Sequence, residues 1–182
     1  MGLFFTGKGD KGKSTLTKTK KIDKLSAEIR AVGAVDELNS FIGLAKNYTN
    51  KETKKILENT QENLFIIQAN IGTLMMGNKF APPVFKEEKI TKIEKIIDNL
   101  EAKINPEKKF IISGTTNESA WLDYSRAIAR RTEIQIVKLI KNNKKLNPFI
   151  LAYINRLSSL LYALARYSSK KAKKKEKNPS YR

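Results

Sequence analysis

The residues best suited to chemistry lie near the start of this 182-residue chain. TGKGDKGKST, residues 6–15, interleaves Gly7, Gly9 and Gly12 with Lys8, Lys11 and Lys13 around Asp10, and runs from the Thr6 hydroxyl to those of Ser14 and Thr15. Glycines let backbone N–H groups approach an anion, hydroxyls donate to its oxygens and lysines neutralise its charge. Such a loop suits a polyphosphate, and the plainer alternative is a flexible basic terminus. The same residues spell the P-loop pattern from Gly7 to Gly12-Lys13-Ser14. A P-loop needs a buried strand before it and a helix directly after it. Here only Leu3-Phe4-Phe5 precedes, and Thr17-Lys18-Thr19-Lys20-Lys21 is a poor helix start. The expectation is therefore a phosphate-binding loop without a P-loop fold.

Two further groups carry charge at helical spacing. Asp123, Arg126, Arg130 and Glu133 step by three, four and three, so they share one helix face. Asp36, Glu37 and Asn39 interrupt an apolar run, AVGAVDELNSFIG. Acidic groups among small apolar residues need partners, and Arg126 is the obvious one for Asp36 if their helices pack together. Asn155 sits within Tyr153-Ile154-Asn155-Arg156-Leu157. Ordinary interhelical salt bridges are the competing reading of all these charges.

Composition narrows the chemistry. The chain has no cysteine, which excludes disulfides, thiolate nucleophiles and Cys-type zinc sites. It has no histidine, which excludes a Ser-His-Asp triad and an imidazole ligand or base. Any metal would be a hard cation on oxygen ligands, such as Mg²⁺. Lys plus Arg number 36 against 18 Asp plus Glu, a net charge of +18. Residues 170–182, KKAKKKEKNPSYR, hold seven basic side chains and one acidic, and read as a disordered basic tail. Such a tail suits either a nucleic-acid or membrane arm or, more plainly, a solvated lysine-rich end. No apolar run reaches the ~20 residues of a membrane span. The start is too short for a signal-peptide core. Met1-Gly2 with Thr6 matches a loose myristoylation pattern, but Thr6 has a better use in the loop. A cytoplasmic protein is expected.

The elements that must position these groups are helical. Apolar residues recur at three- and four-residue steps over about 25–46, 52–76, 86–104, 117–141 and 148–169. Gly77-Asn78 and Pro82-Pro83 break the second helix, and Asn147-Pro148 makes an N-cap and first turn for the fifth. Strand signals are almost absent. The fold class is all-α: one domain over residues 1–169, a five-helix bundle preceded by the phosphate loop.

Taken in order, the Thr6-x-x-Gly9-Asp10-x-Gly12-x-Ser14 loop, Lys24, AVGAVDELNSFIG, SRAIARRTE and INRLSSLLYALAR resemble the PduO-type ATP:cob(I)alamin (corrinoid) adenosyltransferases over about residues 3–167. The resemblance implies a homotrimer of five-helix bundles with ATP bound between subunits. It implies transfer of the 5′-deoxyadenosyl group of ATP to Co(I) of a corrinoid such as cobalamin, with release of triphosphate. By the same resemblance Thr6, Gly7, Lys8, Gly9, Asp10, Gly12, Ser14 and Thr15 would wrap the triphosphate with Mg²⁺, and Lys24 would neutralise it. Arg130 and Glu133, with Arg131 close by, would complete the nucleotide site, and Asn155 would hold the nucleoside. Asp36 and Arg126 would pair across the subunit interface beside the corrinoid. Phe110 would crowd the lower face of cobalt. A corrinoid reductase and an adenosylcobalamin-dependent acceptor enzyme are the partners implied.

This chemistry needs no protein base, because reduced cobalt is itself the nucleophile and the cofactor carries the hard step. The chain must align cobalt with the ribose C5′ and neutralise the departing triphosphate. Several positions depart from the family pattern. Ile134 stands where an arginine is usual, Ser159 where an aspartate is frequent, Asp123 where a histidine is common, and Gly114-Thr115 where a glycine pair is frequent. A non-catalytic ATP- or corrinoid-binding homologue is the alternative. A basic helical nucleic-acid-binding protein is the more remote one, since no stacking platform or recognition motif is present.

Overall fold

The computed structural model describes residues 4–5, 7–15, 21–76, 81–142 and 145–181. Five helices follow a short antiparallel pair of strands: β1 (Lys13–Thr15), β2 (Lys21–Asp23), α1 (Ala27–Ala45), α2 (Lys51–Met76), α3 (Glu88–Ile104), α4 (Asn117–Lys141) and α5 (Pro148–Lys171). A 3₁₀ turn at Lys46–Tyr48 joins α1 to α2. The helix ends follow the expected spans to within a few residues.

Local chemistry explains the ends. Ser26 accepts from the Ile29 N–H and so caps α1. Thr116 and Ser119 form a reciprocal capping box at the start of α4. Asn147 Oδ1 accepts from the Phe149 N–H at 3.0 Å, with Pro148 in the first turn of α5. At the far end of α3, Asn105 takes a left-handed conformation (φ 48°), which stops the helix and turns the chain into the segment 106–116.

The packing order places α4 and α5 against one another, α1 on α4, α3 on α5, and α2 on α1. The core is aliphatic: Leu38 and Ile42 of α1, Leu64 and Ile67 of α2, Leu122 and Ile136 of α4, and Ile154, Leu157 and Leu161 of α5 are fully buried. Removing any of these from water contributes roughly 1.5–3 kcal/mol. α5 is long and apolar enough to cross a membrane by length and composition alone, although Asn155, Arg156 and Arg166 interrupt its apolar run. Its apolar residues are instead core, packed against α3 and α4.

Two expectations differ from the structure. Strand pairing exists: Lys13, Ser14 and Thr15 face Asp23, Ile22 and Lys21 in register. Three-residue strands are too short to show an alternating pattern, and one further hydrogen bond extends the pair at its open end, with the Lys24 N–H donating to Gly12 O at 3.0 Å. The tail also differs from a disordered one. α5 continues to Lys171, and residues 172–178 turn back over the 106–116 segment. Lysine repulsion does not prevent this, because backbone and amide hydrogen bonds form where Glu176 also meets Arg166.

Candidate functional site

The amino-terminal loop is built by two left-handed glycines. Gly7 (φ 66°) and Gly12 (φ 73°) adopt a conformation costly for residues with a Cβ. They allow successive tight turns, with the Asp10 N–H donating to Gly7 O and the Gly12 N–H to Gly9 O. β1 and β2 then bring Lys24 back over the loop. Its ammonium lies 3.2 Å from where a Cβ on Gly9 would stand. Ser14 and Thr15 are half-buried on β1, and Thr15 Oγ1 is buried with no hydrogen-bond partner. A buried hydroxyl without a partner is costly, so this one marks an unsatisfied point in the loop. Thr6 lies outside the described residues.

A second assembly forms on the helices. Glu133 of α4 accepts from Asn155 Nδ2 of α5 at 2.8 Å. Asn155 Oδ1 in turn accepts from Arg156, whose Nε donates to Glu94 of α3 at 2.9 Å. Asn155 is thereby fixed in rotamer and orientation by charges on both sides. On the α1 side, Arg131 pairs with Glu37, and Thr132 Oγ1 donates to Ala34 O at 3.0 Å. This corrects the expected pairing of α1 with α4 inside the chain. Asp36 turns toward α2 and accepts from Gln68 at 3.2 Å, whereas Arg126 turns toward α5, with its guanidinium 6.0 Å from the Tyr162 ring.

Arg126 borders a cavity of about 760 Å³ between α4, α5 and the 106–113 segment. Phe110, Arg126, Arg130, Ser159, Tyr162 and Arg166 contribute to its wall. Phe110 is 78% exposed on the cavity wall. Among the described residues, Arg126 and Arg130 have no acidic partner, and Arg126 Nε is buried without an acceptor. None of the described loop residues reaches this cavity. Three of the expected residues, Phe110, Arg126 and Arg130, are thus brought together. Glu133 and Asn155 form a second group and the glycine loop with Lys24 a third.

Sequence reasoning missed the residues that hold the cavity's shape. Asp123 belongs to the charged face of α4 by spacing, yet it is 5% exposed and pairs with Arg166, itself 4% exposed. The signal was present: Arg166 closes LLYALAR, and a cation amid so apolar a run needs a buried anion. Asp123 Oδ2 also accepts from the Gly114 N–H at 3.1 Å, where Gly114 is left-handed (φ 88°). Arg166 in addition lies 4.9 Å from the Tyr162 ring.

Comparison with known proteins bears directly on this arrangement. The family model of the cobalamin adenosyltransferases matches residues 4–168, from the glycine loop to the end of the core of α5. The chain belongs to the cobalamin adenosyltransferase family. Corrinoid adenosyltransferase PduO of Citrobacter freundii is 31% identical over 166 residues, covering 89% of this chain and 48% of its own length. The chain thus spans about half the length of that relative. A corrinoid adenosyltransferase of Bacillus subtilis is 33% identical over 166 residues and covered to 84%. Among solved structures, a phenylalanine-to-histidine variant of the PduO-type ATP:corrinoid adenosyltransferase of Lactobacillus reuteri, complexed with cobalamin and ATP, superposes with a TM-score of 0.89 at 30% identity. That alignment covers 97% of this chain and 96% of the other. The five-helix architecture is therefore that of the family.

Proposed function

We propose that this chain is an ATP:corrinoid adenosyltransferase. Co(I) of a corrinoid attacks C5′ of ATP, its electron pair forms the Co–C bond, the C5′–O bond breaks, and triphosphate departs. The observation that carries this reading is the cavity that gathers Phe110, Arg126 and Arg130 in a chain of this family. Arginines without carboxylate partners among the described residues suit a site that neutralises a polyanionic leaving group. Phe110, exposed and apolar, suits a surface that keeps a lower ligand away from cobalt.

The glycine loop takes the triphosphate. Gly7 and Gly9 offer backbone N–H groups, Gly12 supplies the left-handed turn, Lys8, Lys13 and Lys24 offer charge, and Thr6, Ser14 and Thr15 offer hydroxyls. Among the described residues no cluster of three acidic side chains could hold a metal. Mg²⁺ fits as an ion that arrives with ATP, on phosphate oxygens and water, with the orphaned Thr15 Oγ1 as an available protein oxygen. It supplies charge neutralisation on the triphosphate. Glu133, oriented Asn155 and nearby Arg131 receive the nucleoside, and Asp10 shapes the turn of the loop.

The working unit is a homotrimer with sites between subunits. Among the described residues Asp36 has no cationic partner and Arg126 no anionic one, which is the condition for a pair formed between chains. Exposed Phe65, Tyr124 and Ile134 supply apolar area for such contacts. The protein acts in the cytoplasm, receives reduced corrinoid from a reductase and passes adenosylcobalamin to an acceptor enzyme. The test is anaerobic incubation with reduced cobalamin, ATP and Mg²⁺. Appearance of the alkylcobalt spectrum with one triphosphate per product supports the reading. Because Ile134 leaves the site one cation short of the resembling pattern, the second reading is a binding homologue, which would take up ATP and corrinoid without either product.

A further inference from the structure

The segment 106–113 has little to hold it. Phe110 is exposed, Lys108 and Lys109 are exposed, and the only backbone hydrogen bond internal to the segment runs from the Lys109 N–H to Glu107 O among the described residues. A largely exposed aromatic ring is placed mainly by its backbone. Two contacts from the carboxy-terminal tail fix that backbone. Asn178 Nδ2 donates to Phe110 O at 2.8 Å, and the Ile112 N–H donates to Lys177 O at 2.8 Å. The two contacts fall on alternate residues, as when an extended strand is laid alongside another. The tail is itself anchored: the Lys174 N–H donates to Ser169 O, and Glu176 lies 3.1 Å from the buried Arg166 guanidinium. Arg166 is held in turn by Asp123, which also grips Gly114 at the far end of the segment.

We infer that Asn178 is a positioning residue for Phe110: the tail beyond α5 straps the cavity-lining segment in the place from which the ring can crowd the corrinoid's lower face. This rests on the proposed adenosyltransferase reading and on Phe110's part in it. It also assigns the lysine-rich end a task inside the site, in place of that of a free polycationic arm. Lys174, Lys175 and Lys177 then border the segment by consequence of the strap.

The test compares full-length wild type, Phe110→Ala, Asn178→Ala and Asn178→Asp. The aspartate has nearly the amide's shape but no donor, and it repels the Phe110 carbonyl. Each protein is loaded with Co(II)cobalamin in the presence of ATP and Mg²⁺, and the coordination number of cobalt is read by electron paramagnetic resonance. Turnover and ATP affinity are measured alongside. The expected result is that both Asn178 variants shift cobalt toward the five-coordinate form and lower kcat roughly tenfold, the effect of losing about 1.4 kcal/mol of ordering, with ATP affinity and helical content unchanged. Unaltered coordination in the Asn178 variants, with an altered one in Phe110→Ala, overturns the strap and leaves the reading of Phe110 standing. Unaltered coordination in Phe110→Ala overturns that reading itself. Loss of ATP binding together with helical content in the Asn178 variants assigns the tail to folding and overturns the positioning role.

Discussion

Arg166 and Asp123 face each other inside the protein, guanidinium to carboxylate at 2.5 Å, both almost wholly withdrawn from water. The pair ties α5 to α4 and, through the second bond of Asp123 to Gly114, ties both to the segment that carries Phe110. Breaking such a pair from one side leaves an uncompensated buried charge, which costs about 3–5 kcal/mol. Asp123→Ala should therefore unfold at markedly lower denaturant than wild type, with that loss read from equilibrium melts. Replacing both residues with apolar ones of similar volume should recover much of the stability but not the placement of Gly114. A single variant as stable as wild type would refute the assignment.

Lys24 is exposed beyond the end of β2, with its ammonium lying over Gly9. Lys24→Met should leave the melting temperature nearly unchanged, because surface substitutions usually shift stability by no more than about 0.5 kcal/mol. It should raise KM for ATP by roughly tenfold or more, the worth of one hydrogen bond to a charged group at about 1.5–3 kcal/mol. Isothermal calorimetry with ATP and Mg²⁺ checks it.

Ile134 is 54% exposed on α4, one position after the Glu133 that holds Asn155. Ile134→Arg should add a cation beside the nucleotide and raise kcat/KM for ATP by roughly tenfold, from about 1.5 kcal/mol of charge-assisted bonding. Steady-state kinetics at varied ATP would show it. A fall in activity would mean that the isoleucine packs against a neighbouring subunit.

Burial raises the Tyr153 phenol above its ordinary range, while Asn63 donates to its oxygen at 3.0 Å and opposes the shift. The unfolded phenol ionises first as pH rises, so the unfolded state there holds fewer protons and stability falls with pH. The protection is complete below the phenol's ordinary range, near pH 10, and is lost as pH climbs through the raised folded value. Tyr153→Phe should cost about 1 kcal/mol at neutral pH for the Asn63 bond and show a shallower decline above pH 10. Melts from pH 8 to 11 on both proteins test the sign.

Much of this was legible in the primary structure, for physical reasons. Helical period is a property of consecutive residues, so Leu38, Ile42, Leu64 and Ile67 declared their stripe, and Asn147-Pro148 declared its cap. The glycine loop was legible because Gly7 and Gly12 adopt conformations that few other residues tolerate. Direction around a helix was harder. Asp36 and Arg126 lie on packed helices yet turn to opposite neighbours, and Glu37 with Arg131 makes the contact in their stead. Asp123 and Arg166 are 43 residues apart and meet only once α4 and α5 are packed. The tail was unreadable for another reason: its lysine pattern argues for solvation, while its contacts are made by backbone groups, the Asn178 amide and its one acidic residue, Glu176.

The two arginines of the cavity have a consequence beyond recognition. Within one copy, Arg126 and Arg130 repel each other on one cavity wall, where Glu101 and Glu107 also stand but pair with neither arginine among the described residues. A carboxylate from an adjacent copy or the phosphates of a guest would quiet that mutual repulsion on arrival. In the proposed assembly, association of copies and uptake of nucleotide would draw on one shared electrostatic debt, so each should tighten or loosen with the other.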